Sequence, residues 1–220
     1  MIYILWRVIF ILLLISLCLV CFKKKLSKKN LIIVLSTMII LCASLCFFPI
    51  ENLFMSFDTP ESAFNYYRTG EIKGVVYGDN SSLVYYKTSS ETYSYVFMKR
   101  TGKGYKLPEP YCNEIIADRF DSKGKFEVYK VDKTQDYYVI GYTVVLEDST
   151  ITDSNNQLIS NVVYSDTTYP QNAIFYSYIG DYSNKYYLLI NSEKIYIKRQ
   201  SEKKRSRNTM GRFCCVDKFR

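Results

Sequence analysis

Two long apolar runs joined by a short lysine-rich link constrain this chain more than any other feature. Residues 8–22 are interrupted only by the hydroxyl of Ser16, residues 2–6 extend that run at the front, and residues 31–50 form a second run of twenty without a charge. Twenty helical residues rise about 30 Å, the hydrocarbon thickness of a bilayer. The link, residues 23–30, holds Lys23, Lys24, Lys25, Lys28 and Lys29 and no acid. Short loops rich in Lys stay cytoplasmic. The pattern therefore predicts a two-helix transmembrane hairpin in the cell membrane. Transmembrane helix 1 is 1–22, a cytoplasmic basic loop is 23–30 and transmembrane helix 2 is 31–50, with the amino terminus and everything after 50 outside. Arg7, near the end of the first run, is expected to snorkel to the headgroups. If the first run does not span, the second still delivers the rest of the chain to the same side. Cys42 and Cys46 follow Leu41 and Leu45 rather than a small residue, and no A-x-A stands near Ser44, so the segment reads as a retained anchor.

Beyond Phe57 the grammar changes. In TPESAFNYYR, Thr59 is placed to cap a helix, Pro60 suits its first position and Glu61 its first turn. Ala63, Phe64 and Tyr67 share one face, and Gly70 is expected to stop the helix. Short runs rich in Val, Ile, Tyr and Phe follow, broken by Gly, Asn, Asp and Ser, which is how strands and hairpins are written. Strands are expected at 72–77, 82–87, 93–99, 125–131, 137–146, 159–164, 173–179, 186–190 and 194–198. The fold class is α+β, mostly β: the transmembrane hairpin, then one antiparallel β-rich domain over 51–197 with a short helix at its start. The tail, 198–220, has nine basic and two acidic residues and few apolar ones, a composition of disorder.

The formal charge of +8 is unevenly spread, because residues 51–197 carry 14 basic and 19 acidic groups. A nucleic-acid-binding domain carries its excess of Lys and Arg on the folded body. Nucleic acid is thus not an expected partner. The absence of His removes imidazole acid–base chemistry, Ser-His-Asp and Cys-His nucleophiles and His-ligated zinc.

Other chemistry finds little support. Cys18, Cys21, Cys42 and Cys46 lie in the apolar runs, Cys112 stands alone in the body, and Cys214-Cys215 sit in the tail, where an oxidising exterior could join one of them to Cys112. Asp153-Ser154-Asn155-Asn156 begins like a calcium loop, but Leu158 and Tyr164 stand where Gly and Glu are needed. Gly102-Lys103-Gly104 lacks the third Gly of a nucleotide fingerprint and reads as a turn. Paired carboxylates, Asp118 with Asp121, Asp132 with Asp136 and Glu147 with Asp148, are the one catalytic option for a hydrolase. Their closeness within turns points to solvation instead. No enzyme activity, cofactor or metal is expected.

Tyrosine is the compositional outlier, with 21 of 22 in residues 51–197. Tyr suits a half-buried pleated surface, ring inside and hydroxyl wet. The doublets Tyr85-Tyr86, Tyr137-Tyr138 and Tyr186-Tyr187 would put one ring in the core and one on the solvent face. If the outer rings gathered, they would make an aromatic surface for a wall sugar or a peptide.

The segments FDTPESAFNYYRTGEI, GDNSSLVYYK, GKGYKLP, FDSKGKFEVYKV with DYYVIGY, and DYSNKYYLLINSEKIYI carry a resemblance over residues 57–197. The chain resembles a group of uncharacterised membrane-anchored bacterial proteins with a Tyr-rich extracytoplasmic domain. The resemblance implies a bacterial envelope setting and carries over no activity, ligand or site. The expected function is a non-enzymatic extracytoplasmic binding module on a membrane anchor, its partners the lipid bilayer and a cell-wall polymer or another membrane protein. The alternative is a sensory or immunity-type regulator acting through a transmembrane partner.

Overall fold

The structure is a computed structural model that describes residues 7–9, 11–13, 15–16, 28–88, 92–109, 112–145, 150–154, 158–159, 162–164, 171–183 and 185–199. The described residues between 7 and 16 are helical. Helix α1 runs over Lys28–Phe47, a 3-10 turn over Ile50–Leu53 and helix α2 over Pro60–Tyr67. The expected short helix forms as its sequence dictates. Thr59 and Ser62 make a reciprocal capping box, Pro60 opens the first turn, and the chain turns extended at Arg68, two residues before Gly70.

Among the described residues no helix is long and apolar enough to cross a membrane. This finding overturns the expected two-span hairpin and the localisation built on it, with the amino terminus and β-rich body outside. Helix α1 itself opens on three polar residues, Lys28, Lys29 and Asn30. Of the lysines expected to set topology, Lys28 and Lys29 open α1, while Lys23, Lys24 and Lys25 lie outside the described residues. Nor does Arg7 stand apart as a snorkelling charge. Its Nη2 donates to the Phe48 carbonyl at 2.9 Å and lies 3.7 Å from the Glu51 carboxylate, fastening the first helical segment to the entrance of the β body.

The body is mostly antiparallel β. Strands β1 (Glu71–Tyr77), β2 (Ser81–Lys87), β3 (Tyr93–Thr101) and β4 (Gly104–Tyr105) form one meander. Strands β5 (Asn113–Asp121), β6 (Gly124–Val131), β7 (Tyr137–Val145), β9 (Val162–Tyr164), β10 (Gln171–Tyr178) and β13 (Lys198–Arg199) form a second sheet, ordered β13-β5-β6-β7-β10-β9. The third, ordered β12-β11-β8, joins β8 (Thr152–Asp153), β11 (Tyr187–Ile190) and β12 (Glu193–Tyr196). Turn chemistry sets these registers. Asn191 and Ser192 both take positive φ, 50° and 64°, in the two-residue turn between β11 and β12. Gly124 follows the Ser122-Lys123 loop at φ 145°, and a Cβ there would run into the Tyr142 carbonyl.

Three buried clusters show how the elements stack. Helix α2 lays Ala63 and Phe64 on Val84, Tyr86, Val96 and Met98 of the first sheet. The opposite face of that sheet packs Leu83, Tyr85 and Phe97 against Tyr129, Val131, Tyr138 and Ile140 of the second. The far face of the second sheet packs Phe126, Val128, Val139 and Phe175 against Leu188, Ile190 and Ile195 of the third. Helix, sheet, sheet, sheet: both larger sheets are covered on both sides, so strands such as β2 and β7 are buried along most of their length. Each fully buried large side chain contributes about 1.5–3 kcal/mol of transfer free energy.

Strand positions follow the expected ones closely except for β4, β5, β8 and β13, for which no separate strand was expected. Strand β5, NEIIADRFD, carries four charges, and these mask its apolar Ile115-Ile116-Ala117 centre. The expected tail also begins later than its charge suggested. Lys198 and Arg199 pair with Asp118 and Ala117 of β5, and residues 200–220 lie outside the described residues.

Candidate functional site

The tyrosine doublets do not make one surface. Tyr85, Tyr86, Tyr138 and Tyr186 are each no more than 1% exposed. Tyr85 and Tyr86 point to opposite faces of the first sheet, and both faces are covered, one by the second sheet and one by α2. Tyr138 lies between the first two sheets, while Tyr137 packs half-buried on the far face of the second, 6.4 Å from the Tyr182 ring. Tyr187 stands beside Tyr196 with Lys194 Nζ 4.9 Å from its ring. A solvent face was expected for one ring of each pair; the added layers remove it at Tyr85-Tyr86, while Tyr137 and Tyr187 stay half-buried beside their buried neighbours. Burial accordingly pushes the Tyr85, Tyr129, Tyr138 and Tyr186 hydroxyls well above their ordinary range.

The paired carboxylates are dispersed among structural roles. Asp121 accepts from Arg119 Nε at 2.5 Å and from the Lys123 amide at 2.9 Å, and these bonds hold its carboxyl below the usual range. Asp132 faces Lys99 at 3.6 Å. Asp136 is buried, accepting from Ser81 Oγ at 2.5 Å and the Asn80 amide at 2.8 Å. Glu147 and Asp148 lie outside the described residues. Asp153 of the calcium-like stretch is buried in β8, and Cys112 is buried, its expected disulfide partners Cys214 and Cys215 lying outside the described residues.

What the fold does gather is a cleft of about 270 Å³ at the end of the first sheet, against the entrance to the β body. Phe97, Lys99 and Thr101 come from β3, Lys106 to Glu109 from the segment after β4, Cys112 from the start of β5, Lys133 from the β6–β7 turn and Asn52 from the 3-10 turn. Several backbone bonds hold these loops together. The Lys106 amide donates to the Lys99 carbonyl at 2.9 Å, Asp132 N to the Cys112 carbonyl at 2.8 Å, and Phe57 and Tyr105 exchange a pair of bonds at 2.9 and 2.7 Å. Asn52 acts as a strand mimic. Its Nδ2 donates to the Leu107 carbonyl at 2.9 Å, and its Oδ1 accepts from the Leu107 amide at 2.8 Å.

Electrostatically the cleft is cationic. Lys99 faces Glu109 at 3.3 Å and Asp132 at 3.6 Å, so its charge is balanced. Lys106 Nζ donates to the Asn52 and Met55 carbonyls at 2.8 and 2.7 Å, which are neutral partners. Lys133 is exposed on a left-handed backbone, φ 59°. Among the described residues neither Lys106 nor Lys133 makes an ion pair, while Phe97, Leu107, Pro108 and Cys112 supply an apolar wall. Apart from Cys112, none of these residues was singled out from sequence, although Lys103 to Pro108 belong to the GKGYKLP segment; their spread over 81 positions, from Asn52 to Lys133, left no local spacing to find.

The fold and cleft define a layered, antiparallel β body with a lysine-lined recess beside its helical entrance. No family model, no curated protein and no solved structure matches the chain.

Proposed function

We propose that the chain is a non-enzymatic binding module that takes its ligand, a cell-wall component or a segment of another protein, in the cleft between the end of the first sheet and the 3-10 turn. The observation that supports this reading is the recess itself. It combines an apolar wall with two ammonium groups that have no carboxylate partner among the described residues, the composition of a specific small site. The test is retention of the purified full chain on isolated wall material, beside a Thr101→Trp variant. Thr101 is exposed on the cleft lining, so Trp fills the recess and leaves the core alone. Loss of retention in the variant supports the reading, and equal retention by both proteins rejects it.

A second reading, a regulator acting through a protein partner, draws on α1. Ile32, Ile33, Leu35, Ile39 and Ile40 are exposed at helical positions that point in several directions around its axis. Apolar surface on that scale favours a covering partner. Copurification from mild detergent tests it: one stoichiometric protein whose capture is lost in an Ile33→Glu, Ile40→Glu variant supports the regulator, and its absence rejects it.

A further inference from the structure

Resting on the reading of the cleft as the binding site, we infer that the group it takes is a phosphate, held between the Lys106 and Lys133 ammonium groups. The assignment follows from which charges are already spent. Lys99 faces two carboxylates, so it offers an incoming anion little net charge, and Glu109, being 3.3 Å from Lys99, adds little repulsion. Lys106 is different. Two of its three N–H donors go to the Asn52 and Met55 carbonyls, which fix the ammonium in place without neutralising it. One donor and the full charge remain. Lys133 adds a second unpaired charge to the same lining, and its left-handed backbone sets its origin at the tight turn after β6. A cation is disfavoured among three lysines. A wholly apolar ligand would leave both charges without a counter-ion.

Lysine serves phosphate as a point charge and does not demand the flat two-pronged geometry that arginine reads in a carboxylate. At about 270 Å³ the recess sits just below the usual range for small-molecule sites. That suits one phosphate with the adjoining part of a larger molecule against Phe97, Leu107 and Pro108. The phosphate can be free or borne on a polymer chain, and the two sources are separable by probe.

The experiment titrates the full chain at low salt with inorganic phosphate and, separately, with a short glycerol-phosphate oligomer, following amide chemical shifts. The expected result is saturable binding at one site that weakens as salt rises. Lys106→Gln and Lys133→Gln each lower affinity by about fivefold or more. Lys103→Gln, an exposed lysine outside the lining, leaves it unchanged. Lys133 is exposed and its ammonium holds no other element of the fold among the described residues, so its variant keeps the test valid even if Lys106→Gln loosens the entrance. Binding of the oligomer alone assigns a chain-borne phosphate, and binding of both probes assigns the phosphate group itself. Unchanged affinity in Lys133→Gln, or no binding of either probe by the parent chain, overturns the inference. If phosphate fails while Thr101→Trp still abolishes retention of the larger ligand, the inference falls and the binding-module reading stands. Retention indifferent to Thr101→Trp removes that reading itself.

Discussion

The Ser81 hydroxyl donates to Asp136 Oδ2 at 2.5 Å, joining β2 of the first sheet to the β6–β7 turn of the second across 55 positions. Ser81 also shares a bond of 2.9 Å with the Tyr138 hydroxyl, and Asp136 accepts a second from the Asn80 amide. The pair has the atoms of a hydroxyl and its base, but both residues are buried, Ser81 completely, so no substrate reaches the oxygen. Its work is to set the spacing of two tight turns.

Asp136→Ala leaves the Asn80 amide without its acceptor and the buried Ser81 hydroxyl with Tyr138 alone. A polar group left without its partner costs about 1–3 kcal/mol. The urea midpoint should fall accordingly at unchanged slope. Ser81→Ala should cost less, and the double variant less than the sum of the two, because the variants share one bond. Strict additivity would show that the bond does not couple the turns.

The Tyr85 hydroxyl is buried and has no hydrogen-bond partner among the described residues. Tyr138, equally buried, spends its hydroxyl on Ser81. Tyr85→Phe should therefore be neutral or stabilising by up to about 1 kcal/mol, and Tyr138→Phe destabilising by about 1 kcal/mol. Thermal melts of the two variants check the order, and a larger loss at Tyr85 contradicts it.

At Gly141 an added Cβ would collide with the rings of Phe175 and Phe126, both wholly buried on the far face of the second sheet. Overpacking of this kind costs about 1–3 kcal/mol. Nothing lies within 4 Å of a Cβ at Gly102, in the β3–β4 turn. Gly102→Ala should accordingly melt within a degree or so of the parent, and Gly141→Ala well below it. Equal melting would place the two rings elsewhere.

Alkali should unfold the body through its tyrosines. Burial, together with the bond to Asp79, pushes Tyr178 from an ordinary 10.0 to about 12, and burial pushes Tyr85, Tyr138 and Tyr186 upward as well. A folded value above the unfolded one favours the protonated phenol in the native state. The stability it contributes is complete below about pH 10 and is lost as the pH rises through about 12. Tyrosinate absorbance should lag in the native protein and rise together with loss of the far-ultraviolet β signal. Complete ionisation near pH 10 with the fold intact would contradict the burial.

Much of the local plan was legible because its causes are local. Thr59, Pro60 and Ser62 cap and open α2 within one turn, and Asn191-Ser192 fixes a hairpin with two residues. The charged β5 was hidden because its strand character comes from pairing with β6, which no residue within it announces. The apolar runs were legible as well, but among the described residues they build no helix long and apolar enough to span a membrane.

The alternation of Tyr85 and Tyr86 was set by the chain, since adjacent strand residues face opposite ways. That both faces would be dark was decided by the second sheet on one side and α2 on the other, and neither layer is encoded near residue 85. The cleft follows the same rule. Asn52, Lys106 and Lys133 meet because three loops pack together, and whether a lysine's charge is spent depends on which carboxylate the fold brings to it. Sequence determined the strands, turns and cap through contacts a few residues apart; tertiary packing decided burial and charge balance, which are properties of neighbours distant along the chain.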